Sequence, residues 1–330
     1  ATRSGNTPRA TWGIHPTVDG FIGLAGMPRQ SFSIYDCIGR PELKNDPFFE
    51  NAWEPNANDV LFEMIREWTS RHSANEIFDT ANKYRTPFTK ILSPHELIHS
   101  NHLKEIDFWQ EVEHPMLGKH LLPAGPIIFD GDRGIQKRAP LVSEDSDSIR
   151  NTFSSISEHI EIDKNNNFDS LRMPLDGLRV IDVTQIWAGP YACRYLGDMG
   201  ADVIKIEGPN FPDSVRGVGG AFNDNQINKS AYFNEYNRNK KSLVIDLKSE
   251  VGKKAVLKLI TSADVFVENW SSGVAKRLGF DYEKLKKINP SLVYVSMPGF
   301  GHEGSDSNRV GYGPGIEQMG GLVWLQGYDS

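Results

Sequence analysis

The sequence predicts an α/β protein whose second half is built on a parallel sheet. Three observations carry that expectation. Residues 178–207, LRVIDVTQIWAGPYACRYLGDMGADVIKIE, read as strand, sharp turn, helix and strand. Strand-like and helix-like patterns keep alternating beyond that stretch, whereas residues 1–130 show no such alternation. A β-α-β unit with short connections is the repeating piece of doubly wound parallel sheets. Such sheets hold ligands beyond the carboxyl ends of their strands, so TQIWAGP (184–190) lies where a ligand would sit.

Taken in order, residues 1–12 read as a loop punctuated by Gly5, Asn6 and Pro8. Residues 13–26 read as a hairpin turning near Asp19-Gly20. Helical spacing follows at 30–38, at 58–70 (Val60, Leu61, Met64, Ile65 and Trp68 on one face) and at 74–84 (Ile77, Phe78, Ala81 and Tyr84). Ser73 and Glu76 have the spacing of a capping box. Residues 88–92 read as a strand. Ser93 and Pro94 then open a helix expected to run to about residue 104. Residues 108–113 and part of 120–129 read as strands.

Residues 131–173 form a linker by composition. Between 143 and 169 stand seven acids, Glu144, Asp145, Asp147, Glu158, Glu161, Asp163 and Asp169, and the run Asn165-Asn166-Asn167. Such a stretch cannot bury a core, though a short helix near 149–160 fits its pattern.

From 178 to 183 runs a β-rich segment without Gly or Pro, as expected of a buried strand. Ala188-Gly189-Pro190 breaks it. Proline suits a helix's first turn, where its missing N–H would be unpaired anyway. Tyr191, Ala192, Tyr195, Leu196 and Met199 recur at the helical period and are expected to be the buried face. Gly200 suits a left-handed C-cap, and 202–207 is the next strand. Residues 208–236 are a long Gly- and Asn-rich loop, a kind that is usually functional. Further strands are expected at 242–246, 265–269 and 292–296. Helices are expected at 251–260, 273–278, 282–288 and 316–325.

Bulk properties narrow the function. The chain has 330 residues, enough for two domains, with 38% hydrophobic and 24% charged residues, as in soluble globular proteins. A net charge of −7 argues against a nucleic-acid surface, and no apolar run reaches membrane-spanning length. Cys37 and Cys193 offer no disulfide framework and suit a reducing, cytoplasmic compartment. His15, His95, His99, His102, His114, His120 and His302 follow no metal-ligand pattern, so no metal is expected.

The stretch 175–209 resembles the opening of the class III CoA-transferases, the CaiB/BaiF family that includes formyl-CoA transferase and α-methylacyl-CoA racemase. NRNKKSLVIDLK (237–248), DVFVENWSSGVAKRLGF (264–280) and NPSLVYVSMPGFG (289–301) resemble its later segments, in the family's order. In the first half, residues 3–25, 37–49 and 113–129 resemble segments that follow the family's Rossmann-like half. The resemblance therefore implies the family's fold in reversed order. Residues 1–130 are the C-terminal lobe of one copy, 131–173 a linker, and 174–330 the Rossmann-like part of a second copy. A circular permutation would also give this order. The junction of a tandem two-copy member, such as the CoA-transferase-type enzyme that cleaves dimethylsulfoniopropionate, fits better, because the second part stops before the family's catalytic segment.

The resemblance implies coenzyme A, or an acyl-CoA, as bound substrate. Gln185, Ile186, Trp187 and Ala188 match the loop that lines the pantetheine slot, although Trp187 could simply pack beneath it. Lys248 matches a CoA contact. Asn239, Lys240 and Lys241 read as a basic turn, facing either phosphate or water. Asn269, Trp270, Arg277 and Leu278 match positions around the adenine and phosphates. Guanidinium suits phosphate because it binds oxyanions bidentately; the alternative for Arg277 is an ion pair with Asp281 or Glu283. Tyr312 stands where the racemase branch has its proton-moving histidine. Tyrosine is a poor base at neutral pH, which argues against racemisation. The implied reaction is CoA transfer between carboxylic acids through an aspartyl anhydride and an aspartyl-CoA thioester. The nucleophilic aspartate is expected beyond Ser330. The family also implies an interlocked dimer, or its equivalent within a tandem chain. A nicotinamide oxidoreductase would need G-x-G-x-x-G after the first strand, which TQIWAGPYAC lacks. A CoA-binding module without catalysis stays open.

Overall fold

The computed structural model describes residues 9–27, 30–52, 54–154, 173–217 and 227–326. β1 (Trp12–Thr17) and β2 (Gly20–Ala25) form the expected hairpin, with Thr17 opposite Gly20. The Asp19 carboxylate fixes its turn by accepting from the Thr17 hydroxyl at 2.8 Å and the Ala74 N–H at 2.9 Å. α1 (Ser31–Cys37), α2 (Pro55–Thr69) and α3 (Ala74–Tyr84) pack around this hairpin and β3 (Phe88–Lys90), which pairs with β2. Their shared core includes Ile22, Leu24, Tyr35, Leu61, Ile65, Ile77 and Phe88. The capping box is formed: the Glu76 N–H donates to Ser73 Oγ, and the Ser73 N–H to Glu76 Oε2. Val60 and Tyr84 stay exposed. The buried stripe of α2 instead takes in Ala57 and Asn58.

The helix expected from residue 93 is two helices, α4 (Pro94–Ile98) and α5 (Asn101–Glu105). The chain leaves helical geometry after Ile98, and Ser100 caps a new start by accepting from the Leu103 N–H. β4 (Trp109–His114) and β5 (Gly118–Pro123) make a separate antiparallel ribbon. In the acidic stretch, α6 (Ser146–Ser154) is formed and Arg138 pairs with Glu144. The rest of the expected linker, 155–172, lies outside the described residues.

The second half holds β6 (Arg179–Asp182), α7 (Ala188–Asp198), β7 (Asp202–Glu207), α8 (Ala231–Tyr236), β8 (Lys240–Val244), α9 (Glu250–Ile260), β9 (Val265–Glu268), α10 (Val274–Leu278), α11 (Tyr282–Ile288) and β10 (Val293–Ser296). Its five strands form one parallel sheet in the order β10-β9-β6-β7-β8. Side chains alternate across it. Val180, Val203 and Val267 pack with Cys193 of α7, whereas Ile181, Ile206 and Phe266 pack with Val256 and Ile260 of α9 and Leu285 of α11. Helices thus cover both faces.

One expectation for α7 is overturned. Its buried residues are Gly189, Pro190, Cys193 and Arg194, while Tyr191, Tyr195 and Met199 are exposed. Close approach to the sheet explains the shift. A Cβ on Gly189 would lie 2.4 Å from Thr184 Cβ, and one on Gly197 would lie 3.0 Å from the Asn239 carbonyl. Only small residues fit that face, so the tyrosines turn outward and cover the Arg194 guanidinium, which sits 4.2 Å from the Tyr191 ring centre. The helix ends as expected: Gly200 has φ +103°, and the Ala201 N–H reaches the Leu196 carbonyl.

α12 (Gly313–Met319) and the loop before it return to the first half. The Leu92 N–H donates to the Gln318 carbonyl at 3.1 Å, and the Thr89 hydroxyl donates to the Gln318 side chain. Arg309 donates to the Phe78 carbonyl and stacks on the Phe78 ring.

Candidate functional site

The sheet order reverses direction between β6 and β9, the position at which open parallel sheets bind ligands. The two loops are tied together there. Asn269, just past β9, accepts from the Gln185 N–H at 2.8 Å and donates to the Gln185 carbonyl at 2.7 Å. Next along the loop, Ile186 has φ +74°, a costly conformation for a β-branched residue. Its N–H is held by Asp213 Oδ1 at 3.0 Å. Trp187 follows at the N-cap of α7, exposed and stacked on Tyr232 and Tyr236 at ring separations of 5.7 and 6.3 Å.

Beneath the loop lies a buried ionic network. Asp213 is fully buried and pairs with Lys205 at 3.1 Å, and Lys205 also donates to the Thr184 carbonyl. Burial works against the Lys205 charge, but the carboxylates of Asp182 and Asp213 outweigh it and raise its pKa. Burial opposes the Glu207 charge too. There the Arg216 guanidinium, which binds both carboxylate oxygens at 2.8 and 2.6 Å, holds the carboxyl below the usual range. Every formal charge in this layer has a partner, as burial requires.

The predicted site residues fall into separate groups. Gln185 and Asn269 meet beyond the ends of β6 and β9, followed by Ile186, by Trp187 at the N-cap of α7 and by Ala188 in its first turn, whereas Trp270 packs against the sheet core and donates its N–H to Glu268. The Asn269 side chain is already engaged on both the N–H and the carbonyl of Gln185. Arg277 and Leu278 lie on α10, which follows. Leu278 packs into the core. Arg277 is exposed and in no ion pair among the described residues, its neighbours Asp281 and Glu283 included. Lys248 is exposed, its Nζ 5.0 Å from the Phe211 ring centre. Tyr312 caps α12, beside the glycine loop after β10.

The basic turn at 239–241 is corrected. Lys240 opens β8, its side chain 2% exposed, and binds Asp182 at 2.8 Å and the Pro190 carbonyl at 2.9 Å. Burial lowers its pKa, with Asp182 opposing. Lys241 pairs with Asp202 at 2.5 Å. Among the described residues no group of His, Cys, Asp and Glu is assembled to hold a metal, and no helix is long and apolar enough to cross a membrane.

Sequence reading missed Asp182, Lys205, Asp213, Glu207 and Arg216. A signal was present in β7. Alternation in DVIKIE puts Val203, Lys205 and Glu207 on one face, and a charged pair on the inner face of a buried strand needs counter-charges nearby.

Comparison with known proteins identifies the family. A curated succinyl-CoA:glutarate CoA-transferase from Mus musculus is 41% identical over 159 residues, which is 48% of this chain and 36% of that protein. An acetyl-CoA:oxalate CoA-transferase from Acetobacter aceti is 41% identical over 155 residues, 47% of this chain and 39% of that protein. A protein described as probable CoA-transferase Rv1866, from Mycobacterium tuberculosis, is 28% identical over 326 residues, 94% of this chain and 38% of its own length. The chain thus spans less than two fifths of the length of these relatives. A solved CAIB/BAIF family protein from Brucella suis superposes with a TM-score of 0.44 and 44% identity, covering 47% of this chain and 41% of that one. Residues 1–146 and 175–330 both match the pattern of CoA-transferase family III, and the chain belongs to that family.

Proposed function

We propose that the second half of this chain binds coenzyme A at the loops that follow β6 and β9 and serves CoA transfer from an acyl-CoA to a carboxylic acid. The observation that carries this reading is the two-point clamp of Asn269 on Gln185 where the strand order reverses. It fixes the loop that a ligand at that point must touch. Arg277 on α10, exposed and in no ion pair among the described residues, supplies a cation for a phosphate. On this reading Trp187 and Ala188 face the pantetheine arm, and Lys248 and Tyr312 are further CoA contacts. The covalent carboxylate is an aspartate placed beyond Ser330, so the chain holds CoA without completing the exchange.

Residues 1–130 are, on this reading, the closing lobe of a preceding copy, 131–173 the connection, and 174–330 the CoA-binding part of the next. The near-full alignment with a relative more than twice as long supports a tandem arrangement. Calorimetry with CoA tests the site. Arg277→Ala is expected to weaken binding by about 1.5–3 kcal/mol, the worth of a hydrogen bond to a charged group. Unchanged affinity removes Arg277 from the site. The same preparation, given an acyl-CoA and a short-chain acid, is expected to show no exchange; turnover would place the nucleophile within residues 1–330.

A further inference from the structure

The left-handed turn at Ile186 is held from outside its own loop. Among the described residues Ile186 is the only β-branched residue with positive φ, at +74°. A branched side chain disfavours that region, so the surroundings must hold the backbone there. The holder is Asp213, which is fully buried. Its Oδ1 accepts from the Ile186 N–H at 3.0 Å and from the Val215 N–H at 3.3 Å. Its Oδ2 lies 3.1 Å from Lys205 Nζ, and the same ammonium donates to the Thr184 carbonyl at 2.8 Å. The loop is thereby gripped on either side of Gln185. Asp213 is itself fixed. Its N–H donates to Glu207 Oε1 at 2.8 Å, and Arg216 clamps Glu207. The Arg216 guanidinium lies 3.4 Å from the Phe233 ring centre on α8, and Tyr232 and Tyr236 of α8 stack on Trp187. The short segment 213–216 thus reaches both Ile186 and the helix against which Trp187 rests.

We propose that Asp213 is a positioning residue for coenzyme A, holding Ile186 left-handed so that the 185–187 loop has its binding shape before the ligand arrives. This rests on the CoA-binding reading above. Without the hold, Ile186 relaxes to negative φ and the competent loop becomes a minor state. The apparent affinity then falls by that state's population. A carboxylate is needed at 213 because donors face both of its oxygens. An amide of the same shape turns its NH2 towards either the two N–H groups or the ammonium, and so loses one side.

Calorimetry with CoA on four chains tests this: wild type, Asp213→Asn, Ile186→Gly and the double variant. With isoleucine at 186, Asp213→Asn is expected to raise the Kd about tenfold, as for a competent fraction of about one in ten. Glycine takes positive φ about as readily as negative. With glycine at 186, the same change is therefore expected to raise the Kd only about twofold. A residue that merely stabilised the fold would not be rescued in this way. Should Asp213→Asn not fold, Ile186→Pro leaves Lys205 and its counter-charge in place, but has no N–H and cannot take a positive φ. It is expected to bind CoA at least about tenfold more weakly than wild type. Failure of the wild-type chain to bind CoA overturns both readings. Wild-type affinity in Asp213→Asn or Ile186→Pro, or an equal loss with isoleucine and with glycine at 186, overturns this one alone.

Discussion

His15 shows how one residue can make stability depend on pH. It is fully buried against Phe62, and its ring nitrogens lack a well-formed hydrogen bond. Burial above all, with Arg66 adding, lowers its pKa from 6.5 to about 4. In the unfolded chain it titrates near 6.5. Between these pH values the unfolded state holds the extra proton, so stability is full above pH 6.5 and falls as the pH drops towards 4. That shift corresponds to about 3 kcal/mol. His15→Leu is expected to flatten urea-unfolding free energies across that window; a slope like the wild type's would assign the dependence to another group. Asp213 poses a different test. Removing it leaves Lys205 short of a buried counter-charge and frees the Ile186 N–H. Asp213→Ala is expected to cost about 3–5 kcal/mol, as for other broken buried pairs. Lys241→Ala, which breaks an exposed pair with Asp202, is expected to cost less than about 1 kcal/mol. Equal losses in thermal or urea unfolding would mean that the network is not what holds the loop.

At the level of elements, legibility followed the strength of local signals. Strand and helix identity in residues 178–207 and 240–296 was readable because hydrophobic period, caps and glycines agreed, whereas α8 was missed inside the Gly- and Asn-rich stretch expected to be loop. Ser73 with Glu76 and Gly200 are local motifs, and both formed. The orientation of α7 was not readable from periodicity, which sees polarity and not size. Gly189, Cys193 and Gly197 are the face that fits against β6 and β7, and two tyrosines stand outside it. The break between α4 and α5 was equally hidden, since Ser100 looks like an ordinary helical residue until it caps. At the site, the loop residues 185–188 were legible because a β-α-β unit singles out that turn. Their supports were not. Asp213 lies 27 positions from Ile186 and Asn269 lies 84 from Gln185. A tie across that separation is set by strand order, which no local pattern encodes. Asn239 to Lys241 misled because a lysine in a polar run looks solvated, and only the register of β8 against β7 takes Lys240 inside.

Across the whole molecule, the two halves meet through a seat on the first sheet. Gly23 of β2 lies under the Gln318 amide, and a Cβ there would fall 1.8 Å from Gln318 Oε1. Gln318 is 5% exposed and its amide oxygen accepts from the Thr89 hydroxyl, so the amide cannot swing away without breaking that bond. Glycine at 23 is thus an adaptation to α12 rather than to the hairpin, where φ is unexceptional. Gly315 makes the same kind of fit from the other side, because a Cβ there would lie 2.9 Å from Thr89 Cγ2. Gly23→Ala is expected to displace the amide and destabilise the folded chain by about 1–3 kcal/mol, the usual cost of overpacking. Gln318→Ala in the same chain makes room for the methyl group. Its own cost is the lost contact, so the double variant is expected to be less destabilised than the two single changes added together. Thermal unfolding of the four proteins closes that cycle. Additive losses would show that α12 is not seated on Gly23 in solution.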